Sequence, residues 1–124
     1  MIVGVGVELV DVARFEAALD RFGERLLRRV FTAEECAYAE RRAQRAQSLA
    51  VRFAAKVAAL RALGLGGLAL RDVEIHRDED DPPRLRLRGR AGRAAREAGI
   101  ERMSLSLTHE GTFCLGQVVL EARG

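Results

Sequence analysis

The sequence predicts a single α+β domain, spanning residues 1–124, in which helices pack on a largely antiparallel sheet. Three observations carry that prediction. Strand-like runs open and close the chain, "IVGVGVELV" at residues 2–10 and "MSLSLTH" followed by "TFCLGQVVLE" near the end. Between them the apolar residues recur every three or four positions, the spacing of helices with one buried face. At 124 residues, 48% hydrophobic and 31% charged, the chain is long enough for one core and too short for two.

In the first run the glycines imply that another backbone approaches closely. Its "GVGVEL" resembles the opening of a dinucleotide fingerprint, but Leu9 stands where the third glycine belongs, and that reading is set aside. Asp11 is a good N-cap for a helix whose buried face is Val12, Phe15, Leu19, Phe22, Leu26 and Val30, broken near Gly23. Arg14, Arg21, Arg25 and Arg28 form a basic stripe beside that face, either solvated or partner-binding. "FTAEE" has the form of a capping box, with Thr32 as cap and Glu35 reaching back, opening a polar helix to about Arg42.

A third helix is expected over 46–63, ended by "GLGG". Residues 70–76 read as a strand, "RDEDDPP" as a turn, "RLRLR" as the returning strand and 89–98 as a short helix. The last third is a hairpin that turns at "EG", with Met103, Leu105 and Leu107 sharing one face.

Charge and composition narrow the function classes. A net charge of +3 suits a phosphorylated small molecule or an acidic protein. Nucleic acid is disfavoured, because the chain has no Trp, one Tyr and five Phe for stacking. A membrane role is disfavoured too: no apolar run reaches the roughly 20 residues a span requires. The opening segment lacks the basic n-region of a secretory signal. Cys36 and Cys114 have no partner at metal-ligand spacing and read as reduced thiols of a cytoplasmic protein.

Lys56 is the only lysine among 21 basic residues and lies within "RFAAKVAALRAL". One reading gives its compact ammonium a phosphate to hold, where an arginine would impose a planar fork. The other is a surface lysine whose stem lies along the core. Glu8 ends the first strand, a position that suits a functional carboxylate or a solvated terminus. His109 closes a strand beside a turn, as ligand, acid–base or turn residue. His76 reads as structural. No nucleophile elbow supports a Ser-His-Asp triad.

Taken in order, "GVGVELVDVARFE", "RVFTAEE", "LAVRFAAKVAALRALG" and "SLSLTHE" followed by "QVVLE" resemble the holo-acyl-carrier-protein synthase family. These are small trimeric 4′-phosphopantetheinyl transferases, and the likeness spans nearly the whole chain. It implies a 4′-phosphopantetheinyl transferase-like fold, a homotrimer, and coenzyme A held in clefts between subunits. The implied reaction moves phosphopantetheine from coenzyme A to a serine of an acyl carrier protein, of fatty-acid or polyketide synthesis, releasing adenosine 3′,5′-bisphosphate.

The resemblance also implies roles for particular residues. Glu8 takes the place of the family's acidic metal ligand, commonly aspartate. Phe53, Lys56 and Arg61 match the helix motif, and Thr108 with His109 the terminal pair. Glu8, Lys56 and His109 are then the catalytic set, meeting around one cleft. Lys56, Arg61, Pro83, Thr108 and His109 bind the cofactor-like substrate. Arg14, with Arg21 and Arg25, faces the acidic carrier protein. Asp81 and Pro82 replace the Gly-Lys that usually precedes Pro83, and Val51 stands where a glycine is common. The chief departure is Val57, which replaces a glutamate that serves the family as Mg²⁺ ligand and candidate base. A weakened Mg²⁺ site follows. The alternative is a retasked homologue that binds coenzyme A or a carrier protein without transfer.

Overall fold

The computed structural model describes residues 1–78 and 80–124, with the side chain of Leu68 also left out. Its elements run β1 (Ile2–Asp11), α1 (Val12–Phe22), α2 (Glu24–Val30), α3 (Ala33–Glu40) and α4 (Arg45–Leu63). A 3₁₀ segment (Gly67–Asp72), β2 (Val73–His76), β3 (Arg84–Leu87), α5 (Gly89–Glu97), β4 (Ile100–Glu110) and β5 (Phe113–Ala122) follow. The expected sheet resolves into two. β1, β5 and β4 form an antiparallel sheet in that order, and β2 and β3 pair separately. The strand expected over 70–76 begins only at Val73, because the residues before it close the 3₁₀ segment. Glu79, inside the expected "RDEDDPP" turn, lies outside the described residues.

Local signals set the helix boundaries. Asp11 Oδ1 accepts from the Ala13 amide at 3.0 Å and starts α1. Gly23, at φ 52°, separates α1 from α2, where a side chain would be strained. The capping box forms: Glu35 N donates to Thr32 Oγ1 at 3.3 Å, and Thr32 N donates to Glu35 Oε1 at 3.0 Å.

Helix α4 lies against the three-stranded sheet at unusually short range. A Cβ on Gly6 would sit 1.8 Å from the Ala58 carbonyl oxygen, and one on Gly116 would sit 2.7 Å from the Ala55 amide. Glycine on the strands, with Ala54, Ala55, Ala58 and Ala59 on the helix, allows this approach. The contacts also give the crossing direction. The C-terminal half of α4 lies over β1 at Gly4 and Gly6, and residues 54–55 lie over β5 at Gly116. The helix therefore crosses the sheet obliquely and leaves a flank on either side.

On the far side of α4 from the sheet, the chain buries an ion pair. Lys56 is 0% exposed, and its Nζ lies 2.6 Å from Glu35 Oε1, also fully buried. The ammonium donates in addition to the carbonyl oxygens of Val73 and, at 3.2 Å, of Leu70. Three N–H groups meet three acceptors, so no charge-bearing hydrogen is left unpaired. The second carboxylate oxygen of Glu35 accepts from the Ile75 amide at 3.0 Å. One pair thus joins α3, α4, the 3₁₀ segment and β2. Arginine, with five donors in a rigid plane, does not match this three-acceptor pocket, which explains the solitary lysine.

Among the described residues, no helix covers the opposite face of the three-stranded sheet. Val3, Val5, Val7, Leu9 and Phe113 are exposed there, with Leu115 and Val119 beside them, paired in register with Leu9 and Val5. Gln117 lies between Val7 of β1 and Ser106 of β4 in the same cross-strand row.

Removing one partner of a buried pair strands the other charge. Lys56→Met is therefore expected to cost about 3–5 kcal/mol of unfolding free energy, measured by urea denaturation. A loss below about 1 kcal/mol, the scale of an exposed pair, would contradict a structural role for Lys56.

Candidate active site

Two clusters of chemically active side chains lie on the two flanks of α4. On the β1 flank, Arg61 Nη1 donates to Glu8 Oε1 at 3.0 Å and to the Val7 carbonyl oxygen at 2.8 Å. Both bonds use one nitrogen of the guanidinium, whose side chain is 54% exposed against 23% for Glu8. Val57 lies one helical turn before Arg61, on the same side of α4. Phe53, a further turn back, packs on Phe15 of α1 with ring centroids 5.6 Å apart.

On the β4 flank a cavity of about 340 Å³ is lined by Tyr38, Arg52, Arg77, Pro83, Thr108 and His109, together with Arg42. Arg52 is 5% exposed. Its Nη1 donates to the Ser48 hydroxyl at 3.0 Å and carbonyl at 3.2 Å, while Nε has no partner among the described residues. Burial holds the Arg52 guanidinium below its usual pKa, with Tyr38 opposing that effect. The Arg52 and Arg42 guanidinium carbons lie 4.0 and 4.4 Å from the centroid of the Tyr38 ring. Burial pushes the Tyr38 phenol up, but hydrogen bonds and charge from Arg42 and Arg52 outweigh it, and the phenol titrates below its usual value. Three guanidiniums face one cavity, chemistry that suits an anion, and the Nε of Arg52 is a buried donor with no acceptor among the described residues.

The residues expected to meet are not gathered within one chain. Glu8 and Arg61 lie on the β1 flank, and Pro83, Thr108 and His109 on the β4 flank. The helix packs on Gly116 of β5, the residue paired with both Glu8 and Leu107, so it stands between the two groups. Lys56 requires a correction. It was expected to hold a phosphate or to lie on the surface, and it does neither, because its ammonium is consumed in the core by Glu35 and two carbonyls. Burial pulls its pKa below the ordinary lysine value, with the Glu35 carboxylate acting against that pull.

Arg14, Arg21 and Arg25 are exposed along α1 and α2, with Arg21 stacked on the exposed Phe22. Sequence reasoning missed Tyr38, Arg42, Arg52 and Arg77. The available signal was Arg52, placed four residues before Lys56 on an apolar stretch.

The family resemblance implies Mg²⁺ at Glu8, and the donor set does not fit it. Val57 has no oxygen to offer, and Glu8 already accepts from Arg61. Among the described residues no group of three or more His, Cys, Asp and Glu side chains is placed to hold a metal.

Comparisons with known proteins bear on this arrangement. The sequence matches the 4′-phosphopantetheinyl transferase superfamily over residues 4–114. A holo-acyl-carrier-protein synthase of Solibacter usitatus is 38% identical over 98% of this chain and 99% of its own. The crystal structure of the holo-acyl-carrier-protein synthase from Neisseria meningitidis superposes with a TM-score of 0.87 at 33% identity, covering 98% of this chain and 99% of that one. A Bacillus anthracis synthase, solved in complex with CoA (3′,5′-ADP), superposes with a TM-score of 0.78 at 30% identity over 99% of each chain. The chain belongs to the 4′-phosphopantetheinyl transferase superfamily, among the transferases of the holo-acyl-carrier-protein synthase type.

Proposed function

We propose that the chain transfers 4′-phosphopantetheine from coenzyme A to a serine of an acyl carrier protein, and that each site is completed between copies of a homotrimer. The observation that carries this reading is the division of site residues between the two flanks of α4. An acidic–basic corner lies on one flank and an arginine-lined cavity on the other, next to a sheet face of exposed valines and leucine. Apolar surface of that kind gains roughly 25 cal/mol per Å² when covered. A second copy laid on the face brings its β4 flank toward the first copy's β1 flank and joins the halves.

In this assembly Arg42, Arg52 and Arg77 neutralise phosphate oxygens of the nucleotide, and Arg52 Nε gains the acceptor it lacks. Pro83, Thr108 and His109 form the wall against which the nucleotide orients. Arg61 faces the diphosphate from the other copy. The serine oxygen forms a bond to the phosphorus that bears pantetheine, and the P–O bond to the nucleotide breaks. Adenosine 3′,5′-bisphosphate leaves with the electron pair. Arg61 engages only one carboxylate oxygen of Glu8, which leaves Oε2 to accept the serine proton. Glu8 is then the base and His109 orients the nucleotide, without Lys56. Arg14, Arg21 and Arg25 present a basic surface to the acidic carrier protein, beginning one turn beyond the end of β1.

Three measurements test this reading. Apo acyl carrier protein incubated with coenzyme A and this protein should gain one phosphopantetheine by mass spectrometry. No gain would favour the second reading that Val57 supports, a homologue that binds without transferring. Val5→Asp should convert a trimer to monomers by analytical ultracentrifugation and lower transfer by at least about tenfold, since a charge forced into an apolar interface opposes assembly. A wild-type monomer, or an unaffected variant, would refute the shared site. Reversing Arg14, Arg21 and Arg25 to glutamate should raise KM for the carrier protein and leave KM for coenzyme A unchanged, because steering charges act on the partner they face. An unchanged carrier KM would remove the stripe from the interface.

A further inference from the structure

We infer that the Glu8 corner binds the diphosphate of its nucleotide without a divalent cation, and that the Arg61 guanidinium is the positive charge this corner supplies. The inference rests on the proposed reading of coenzyme A as substrate and concerns how this chain neutralises it. It begins with a charge count. A divalent ion in a phosphoryl-transfer site bridges protein carboxylates to phosphate oxygens and cancels both. With Val57 in α4, Glu8 is the carboxylate this corner offers, and it is already matched one to one by Arg61. Among the described residues, no carboxylate charge at this corner is left over for a metal to bridge.

Geometry points the same way. Mg²⁺ demands oxygen ligands at about 2.0–2.1 Å in near-octahedral array. To enter, it would have to displace a guanidinium held at 3.0 Å by Glu8 Oε1 and at 2.8 Å by the Val7 carbonyl. It would receive one carboxylate in exchange. One turn before Arg61, the helix supplies the methyl groups of Val57 and no oxygen.

The arginine, by contrast, is prepared for an anion. Both of its intramolecular bonds use Nη1. Nη2 and Nε remain, and together they form the planar fork that matches two oxygens of a phosphate. Its side chain is half-exposed, so this edge reaches solvent. Glu8 and Val7 then act as a brace that fixes the guanidinium before substrate arrives, and the entropy of ordering a long side chain is already lost.

Isothermal titration calorimetry with coenzyme A, in EDTA and in excess Mg²⁺, tests the inference on the intact protein. The expected result is binding in EDTA that changes less than about twofold on adding Mg²⁺, and that Arg61→Gln weakens by about tenfold or more, the scale of one lost charge-assisted hydrogen bond. Val57→Glu should introduce Mg²⁺ dependence. Titrating Mn²⁺ alone, read by its EPR signal, should show no binding to the wild type and measurable binding to Val57→Glu. Coenzyme A binding that requires Mg²⁺ and is lost in Glu8→Gln would overturn the inference and spare the proposed function. Binding in EDTA that Arg61→Gln leaves unchanged would also overturn it. No coenzyme A binding under either condition would overturn both.

Discussion

A charge buried in a protein interior must be matched completely, and in this chain the requirement is met by Lys56. Its ammonium has three hydrogens, and Glu35, Val73 and Leu70 supply three acceptors. Because these lie on separate elements, the match fixes α4 in rotation as well as position. At 3.6 residues per turn, Val57 and Arg61 follow Lys56 around the helix by about 100° and 140°, and Arg52 precedes it by about 40°. Turning Lys56 into the core therefore sends Arg61 to the β1 flank and Arg52 to the β4 flank. The glycines at positions 6 and 116 hold the same helix hard against the sheet. One ion pair and two missing side chains place both halves of the proposed site.

Much of this architecture was legible in the sequence, for identifiable reasons. Asp11 and the Thr32–Glu35 box are local hydrogen-bonding devices whose geometry follows from spacing alone. Gly23 broke the first helix because only glycine is comfortable there. The hairpin of β4 and β5 forms as expected, and Leu105 and Leu107, alternating along β4, pack against the core that includes α4. The separate pairing of β2 with β3 was not legible, because which strands join a sheet is settled by contacts distant in sequence.

The fate of Lys56 was missed for a related reason. Its partner, Glu35, lies 21 positions earlier and had already been given a sufficient local task, closing the capping box. A carboxylate with two oxygens performs both tasks: Oε1 serves the cap and the ammonium, and Oε2 serves the Ile75 amide. Arg52 was overlooked because its place on an apolar stretch, four residues before Lys56, is a weak signal among twenty arginines until its burial and orphaned Nε are seen. Glu8 and Arg61 were named from the resemblance, but their mutual bond, which changes what each can do, is a fact of three dimensions only.

The proposed division of the site by its central helix would make transfer a property of neighbouring copies, and mixing tests that directly. Two impaired variants, Arg61→Gln on the β1 flank and Arg52→Gln on the β4 flank, are dissociated, combined and reassembled, with mixed trimers verified by native mass spectrometry. Each mixed trimer that sets an intact β1 flank against an intact β4 flank has one complete site. The expected result is transfer recovered toward about a third of wild type, one complete site in three, well above either variant alone. Mixed trimers that stay as impaired as their parents would show that the two flanks do not combine, and would contradict the shared site.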